Sequence, residues 1–211
     1  MPTTLAVAGG ERPGIAVQNT YSQDFLLLTV TPTSIEAVKI ITPESFGDSR
    51  GVLRETYNRN RFVEHGIALE FVQDYQSSSI KTGTIRGLHF QSSPAAQGKL
   101  VRVLHGSMFA VAVDLRRSSA TYGKWTAEKL SAADGKQMLV PVGFAHGFCT
   151  LEPDTHVLYK ATAYYSPAND LGIAWDDPEL AIDWPVLPGK AILSDRDTRL
   201  PRLNSLTAYF E

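Results

Sequence analysis

From Ser34 onward the chain is a series of short, β-rich runs set between turn residues: "SIEAVKII", "GVLRETYN", "LEFVQDYQSSSI", "GTIRGLHF", "GKLVRVLHG", "SMFAVAVDLR", "WTAEKLSAADGKQMLVPVG" and "AHGFCTLEPDTHVLYKATAYYSP". Many alternate with a period of two, which sends successive side chains to opposite faces of a strand. Phe109, Val111, Val113 and Leu115 then share one face, and Met108, Ala110 and Ala112 the other. Both faces are apolar, so this strand is expected inside a sandwich or barrel, covered on both sides. The stretches "HGS", "ADGK" and "EPDT" carry turn chemistry and are read as hairpin turns between consecutive strands. One helix interrupts the pattern, from Asn60 to Glu64, with Asn58 as its N-cap and Gly66 as its stop. The tail, rich in Pro and Asp, is expected as loops or a further short helix. The fold class that follows is all-β: an antiparallel jelly roll or related barrel with a few short helices.

Residues 1–33 lack this pattern. They mix Gly, Thr, Ala and Pro without sustained periodicity and are expected to form an extended, partly disordered N-terminal arm. Its apolar patch "FLLLTV", Phe25 to Val30, is expected to dock on the rest and is far too short to span a bilayer. Residues 34–211 are expected to be a single domain, since 211 residues at 43% hydrophobic content suffice for one core.

Charge narrows the partners. Charged residues make up 20% of the chain and the net charge is −2, so no global positive field draws in nucleic acid or an anionic membrane, although a local basic pocket for a small anion stays open. Cys149 is the only cysteine, which excludes an internal disulfide and cysteine-rich zinc sites and fits a reducing compartment. It is expected as a small buried residue. No basic stretch precedes an apolar core with a small-residue cleavage site, and a cytoplasmic location is expected.

Barrel interiors are ordinarily aliphatic, so polar residues within the strand candidates call for another reason. They are Arg86, His89, Lys99, Arg102, His146, Tyr159, Lys160 and Tyr164. Arg86 and His89 stand three apart in "TIRGLHFQ" and face opposite ways unless a bulge intervenes, and Gly87 is the residue that permits one. A histidine-based metal site commonly places two histidines one residue apart on a strand. His89 has Gly87 and Gln91 at those positions, and "PVGFAHGF" adds only His146, so neither metal nor cofactor is expected. Metal-free acid–base chemistry fits better. A neutral histidine removes a proton next to a carbonyl once a carboxylate holds its tautomer, and Asp114, Asp176, Asp177, Asp195 and Asp197 all remain open as that partner. Lys99 suits an enolate oxygen, and a tyrosine returns a proton from the other side.

The segments "FGDSRGVLRETYN", "FVQD", "RGLHFQ", "QGKLVRV", "GFAHGF", "LYKATAYYSP" and "LSDRD" resemble, in order and spacing, the dTDP-4-dehydrorhamnose 3,5-epimerase family of the cupin superfamily. The resemblance runs from about Ser34 to Pro201. It implies a jelly-roll barrel, normally a homodimer that exchanges strands, which inverts C3 and C5 of a dTDP-4-keto-6-deoxy-hexose without metal, in dTDP-L-rhamnose or related deoxysugar synthesis. By the same resemblance the base falls on His89, its carboxylate on Asp197 and the acid on Tyr159. Lys99 and His146 line the sugar pocket, and Arg86 grips the diphosphate. Arg50, Glu55 and Gln73 match nucleotide contacts, some of them from the neighbouring subunit, and Tyr164 matches an aromatic that stacks on thymine.

Two stretches depart from the family pattern. "FVQD" is usually followed by Asn, and here Tyr75 and Gln76 follow it, with consequences for base preference or binding pose. "SPANDLG" departs from the usual acidic and glycine-rich pattern, leaving Asp170 as the nearest carboxylate. A C3-only epimerase and an inactive sugar-nucleotide-binding relative are the competing readings.

Overall fold

The computed structural model describes residues 28–211. Two antiparallel sheets face each other. The six-stranded sheet runs in the order β1 (Leu28–Pro32), β2 (Lys39–Pro43), β10 (Gln137–Val140), β7 (Lys99–His105), β12 (Thr155–Ala161), β5 (Gln73–Ser79). The five-stranded sheet runs β13 (Asp170–Gly172), β6 (Ile85–Gln91), β11 (Phe144–Thr150), β8 (Ser107–Asp114), β9 (Trp125–Ser131). A separate hairpin pairs β3 (Phe46–Asp48) with β4 (Gly51–Leu53). This is the expected all-β jelly roll. Among the described residues no helix is long and apolar enough to cross a membrane.

The core lies where the alternation puts it. Met108, Ala110 and Ala112 of β8 meet Val101, Val103, Met138 and Val157 of the opposite sheet. Val111, Val113 and Leu115 point the other way, where Ile173, Trp175, Leu180 and Trp184 of the C-terminal segment cover them. Cys149 is fully buried in that outer layer. Helix α1 (Arg59–Glu64) forms where expected. The Asn58 side chain accepts from the Asn60 and Arg61 amides, and Gly66 leaves the helix at φ +76°. Phe62 packs it onto Ile41, Leu100 and Leu139.

Two expectations need correction. "HGS", "ADGK" and "EPDT" do not close hairpins: each carries the chain from one sheet to the other, between β7 and β8, β9 and β10, and β11 and β12. Turn chemistry specifies a reversal and not which strand becomes the neighbour. The N-terminal arm also ends earlier than residue 33. Leu28–Pro32 pairs along β2, with Leu28 and Val30 against the α1 cluster. The "FLLLTV" patch therefore docks through its last residues, and the remainder of the arm lies outside the described residues.

Candidate active site

A single glycine decides which side chains enter the barrel. Along the β6–β11 pair, His89 faces His146 and Arg86 faces Phe148, so three steps on β6 match two on β11. The bulge sits at Gly87, whose φ is +130° and where an added Cβ would lie 2.5 Å from Gly147 Cα. Only glycine fits. Ile85 and Leu88 then both face outward into the core, and Arg86 and His89 both face inward.

The inward side chains line a cavity of about 370 Å³ that also includes Lys99, His146, Tyr159 and Asp197. His89 Nε2 donates to Asp197 Oδ1 at 2.6 Å. Asp197 is 4% exposed and comes from the C-terminal 3-10 turn Asp197–Arg199. Burial raises the Asp197 pKa, but the His89 hydrogen bond and charge, with further bonds from Gly87 and Ser194, outweigh it and hold the carboxyl below its ordinary value. A carboxylate accepting from Nε2 fixes the tautomer that leaves Nδ1 with its lone pair. This resolves the choice among the five aspartates. Asp114 is occupied by Arg116, Ser119 and Thr121, and Asp177 accepts from the Glu179 and Leu203 amides.

Tyr159 approaches from the other sheet. It stands on β12 and His89 on β6, so the two reach the cavity from opposite walls. Burial pushes the phenol up to about 12, opposed by a hydrogen bond to Ser77 and the charge of Arg86. Lys99, on β7, is drawn down to about 8 by burial, with Asp170 resisting and Arg196 assisting. His146 is driven to about 3 by burial and by the charges of Lys99 and His89, so it is a neutral imidazole, and its Nε2 is buried with no hydrogen-bond partner among the described residues. A neutral imidazole whose Nε2 has no partner among the described residues can hydrogen-bond a polar group entering the cavity.

Arg86 reaches the rim, where Nε donates to Ser79 Oγ at 3.2 Å and Nη2 to the Ser78 carbonyl at 3.0 Å. Gln73 does not line the cavity. Its Oε1 accepts from the Tyr75 hydroxyl at 2.9 Å and the Tyr165 amide at 2.7 Å, supporting two residues that do.

Three further expected site residues stand away from the cavity. Tyr164 is 69% exposed and outside the lining, while its neighbour Tyr165 lines the cavity. Beyond Ala161 the chain has left β12, so strand parity no longer selects between adjacent tyrosines. Arg50 and Glu55 also lie apart. Arg50 is on the β3–β4 hairpin and pairs with Asp48, and Glu55 accepts from Asn58 and Arg61. Conversely, Arg196, Tyr165 and Asp170 form a cluster at the cavity: the Tyr165 hydroxyl and Arg196 Nη1 donate to Asp170 Oδ2 at 3.0 and 2.7 Å. Arg196 was visible only as a letter within "LSDRD". Among the described residues no group of three His, Cys, Asp or Glu is placed to hold a metal ion.

A histidine–aspartate pair on one wall and a buried tyrosine on the other mark the class: a cupin-type barrel whose cavity gathers groups suited to acid–base chemistry on a small polar molecule. Comparison with known proteins narrows the class to a family. The family model described as dTDP-4-dehydrorhamnose 3,5-epimerase matches residues 32–205, and the chain belongs to that family. It is 48% identical over 178 residues to the dTDP-4-dehydrorhamnose 3,5-epimerase of Sinorhizobium fredii, covering 84% of this chain and 91% of that one. The crystal structure of the Bacillus anthracis enzyme of that name, with TDP and PPi bound, has a TM-score of 0.81 at 48% identity over 83% of this chain and 99% of that one. The Legionella pneumophila enzyme in complex with dTDP-4-keto-L-rhamnose has a TM-score of 0.82 at 43% identity, covering 86% and 96%. The protein is therefore an isomerase, a sugar-nucleotide epimerase.

Proposed function

We propose that the cavity inverts both C3 and C5 of a dTDP-4-keto-6-deoxy-hexose, with His89 as base and Tyr159 as acid. The observation that carries this reading is their placement on opposite walls, since inversion requires a proton removed from one face of a carbon to be replaced on the other. The C4 ketone acidifies the hydrogens at C3 and C5. His89 Nδ1 takes one, and Asp197 stabilises the resulting imidazolium. Lys99 faces the enolate oxygen, and Tyr159 delivers a proton from the far side. The same steps at the second carbon complete the product. A positioned proton-transfer group contributes ~10²–10⁴-fold, so Lys99 and neutral His146 supply much of the rest by stabilising the oxyanion.

At the rim, Arg86 offers a fork to the diphosphate, where a planar guanidinium suits paired phosphate oxygens. Tyr165 presents a ring for the base. Arg50 and Glu55 would join the site of a second copy of the chain in a homodimer. In support, the β3–β4 hairpin that carries Arg50 leaves Val52 and Leu53 more than half exposed, an apolar face suited to burial against a partner. We place the enzyme in the cytoplasm, where nucleotide sugars are made.

The test is to mix the protein with dTDP-4-keto-6-deoxyglucose and read the ring-proton couplings of the product by NMR. Inversion at both carbons supports the reading, inversion at C3 alone restricts it, and unchanged sugar refutes it.

A further inference from the structure

Tyr165 lines the cavity from a stretch of chain that belongs to no strand. β12 ends at Ala161 and β13 begins at Asp170, so residues 162–169 lie outside both sheets, and their backbone groups need partners of another kind. Three glutamine side chains supply them. Gln97 Nε2 donates to the Ala163 carbonyl at 2.5 Å, and Gln73 Oε1 accepts from the Tyr165 amide at 2.7 Å. Gln91 holds the chain on both sides of Tyr165.

Gln91 is the last residue of β6, 3% exposed, and stands in the cavity wall. Its Nε2 donates to the Tyr164 carbonyl at 3.2 Å and to the Ala95 carbonyl at 2.6 Å, and its Oε1 accepts from the Ser166 amide at 2.8 Å. One buried carboxamide therefore grips the peptide group before Tyr165 and the one after it. Only a side chain with a donor and an acceptor at the same end can do so. The far end of Tyr165 is held as well, since its hydroxyl donates to Asp170 Oδ2, and Asp170 lies opposite Gln91 in the β6–β13 register. Asn169 closes the loop onto the same support, its Nδ2 donating to Ser92 Oγ at 3.2 Å and to the Ser93 carbonyl at 3.0 Å.

We propose that Gln91 is a positioning residue for nucleotide binding: by clamping the backbone on both sides of Tyr165, it orders that ring at the cavity before a nucleoside diphosphate arrives. This rests on the reading of Tyr165 as the ring that takes the base. A tyrosine on an untethered loop gives up backbone and rotamer freedom when a base stacks on it, and that loss is subtracted from affinity. Here folding has already ordered the residue. Both amide protons of Gln91 are committed to backbone carbonyls, so its effect reaches the ligand through Tyr165.

Isothermal titration with TDP and with inorganic pyrophosphate, which has no base, separates positioning from general support of the fold. Gln91→Met keeps the length of the side chain and removes the carboxamide. Its affinity for TDP is expected to fall by ~10-fold, within the worth of one base–aromatic stack, while its affinity for pyrophosphate holds. Tyr165→Ala and the double variant Gln91→Met/Tyr165→Ala are expected to bind TDP equally, because the ring through which Gln91 acts is then absent. Unchanged TDP affinity in Gln91→Met overturns the inference. So does an equal loss for TDP and pyrophosphate, which marks general damage to the cavity, and so do losses that multiply in the double variant. Gln91→Asn, a methylene too short to reach both peptide groups, is expected to match the Met variant and takes its place should that variant fail to fold. A wild type that binds TDP no more tightly than pyrophosphate refutes the reading of Tyr165 as the base-binding ring, a separate failure that takes the inference with it.

Discussion

Asp197 Oδ1 accepts a 2.6 Å hydrogen bond from His89 Nε2 across 108 positions of sequence, tying the C-terminal turn to the middle of the barrel. Replacing that carboxylate with an amide keeps the shape and loses the charge that orients and stabilises the imidazole. Asp197→Asn is expected to lower kcat by ~10²–10⁴-fold with KM little changed, measured by steady-state kinetics. A variant within a factor of two of wild type would leave His89 without need of its partner.

Tyr159 and His89 have separable duties if they serve opposite faces. In Tyr159→Phe, His89 still removes a proton and returns one to the same face. Solvent deuterium is then expected to enter with retention while net inversion falls by ~10²-fold or more. Equal loss of exchange and inversion would count against the division of roles.

Lys99 sets an alkaline limit. Burial holds its ammonium near 8, so the cation is present below that pH and lost as pH rises through it. If that charge stabilises the enolate oxygen, kcat/KM of the wild type falls above about 8. Lys99→Gln is expected to be slow at every pH and to lack this limb. An unchanged limb in the variant would assign it to another group.

His146 links folding to pH. Its folded pKa of about 3 lies below the ordinary 6.5, so the unfolded chain binds a proton that the native state refuses. The stability contribution is whole above 6.5 and lost as pH falls from there toward 3. Asp197, also depressed, adds loss in the same direction only below its ordinary 3.8. Chemical denaturation between pH 7 and 5 is expected to show falling stability, and His146→Gln is expected to flatten that slope.

Gly87 is the hinge of the site. A methyl group there meets the Gly147 backbone at 2.5 Å with φ at +130°, and neither backbone can yield cheaply. Gly87→Ala is expected to cost about 3 kcal/mol, combining strain and overpacking, or roughly 6–12 °C in Tm by calorimetry.

Much of this was legible in the sequence where local rules govern. The Asn58 cap, the two faces of β8 and the bulge at Gly87 each follow from a few neighbouring residues. Asp197 was one of five equal candidates until the family resemblance singled it out, because a contact 108 positions away leaves no periodic trace. The corners at Gly106, Gly135 and Asp154 carry hairpin chemistry in the sequence, because turn residues look alike whether the next strand pairs locally or crosses to the other sheet. Tyr164 and Tyr165 were indistinguishable once the strand had ended. The Asp170–Arg196 tether joins the start of the short edge strand β13 to the C-terminal turn and carries no pattern at all.

If His89 is the base, it drives exchange at both carbons flanking the ketone. Incubation with dTDP-4-keto-6-deoxyglucose in deuterium oxide, followed by NMR and mass measurement, tests it most directly. Deuterium at C3 and C5 with wild-type protein, and at neither with His89→Asn, is the expected result. Deuterium at neither carbon with the wild type, or at both with the variant, would contradict it.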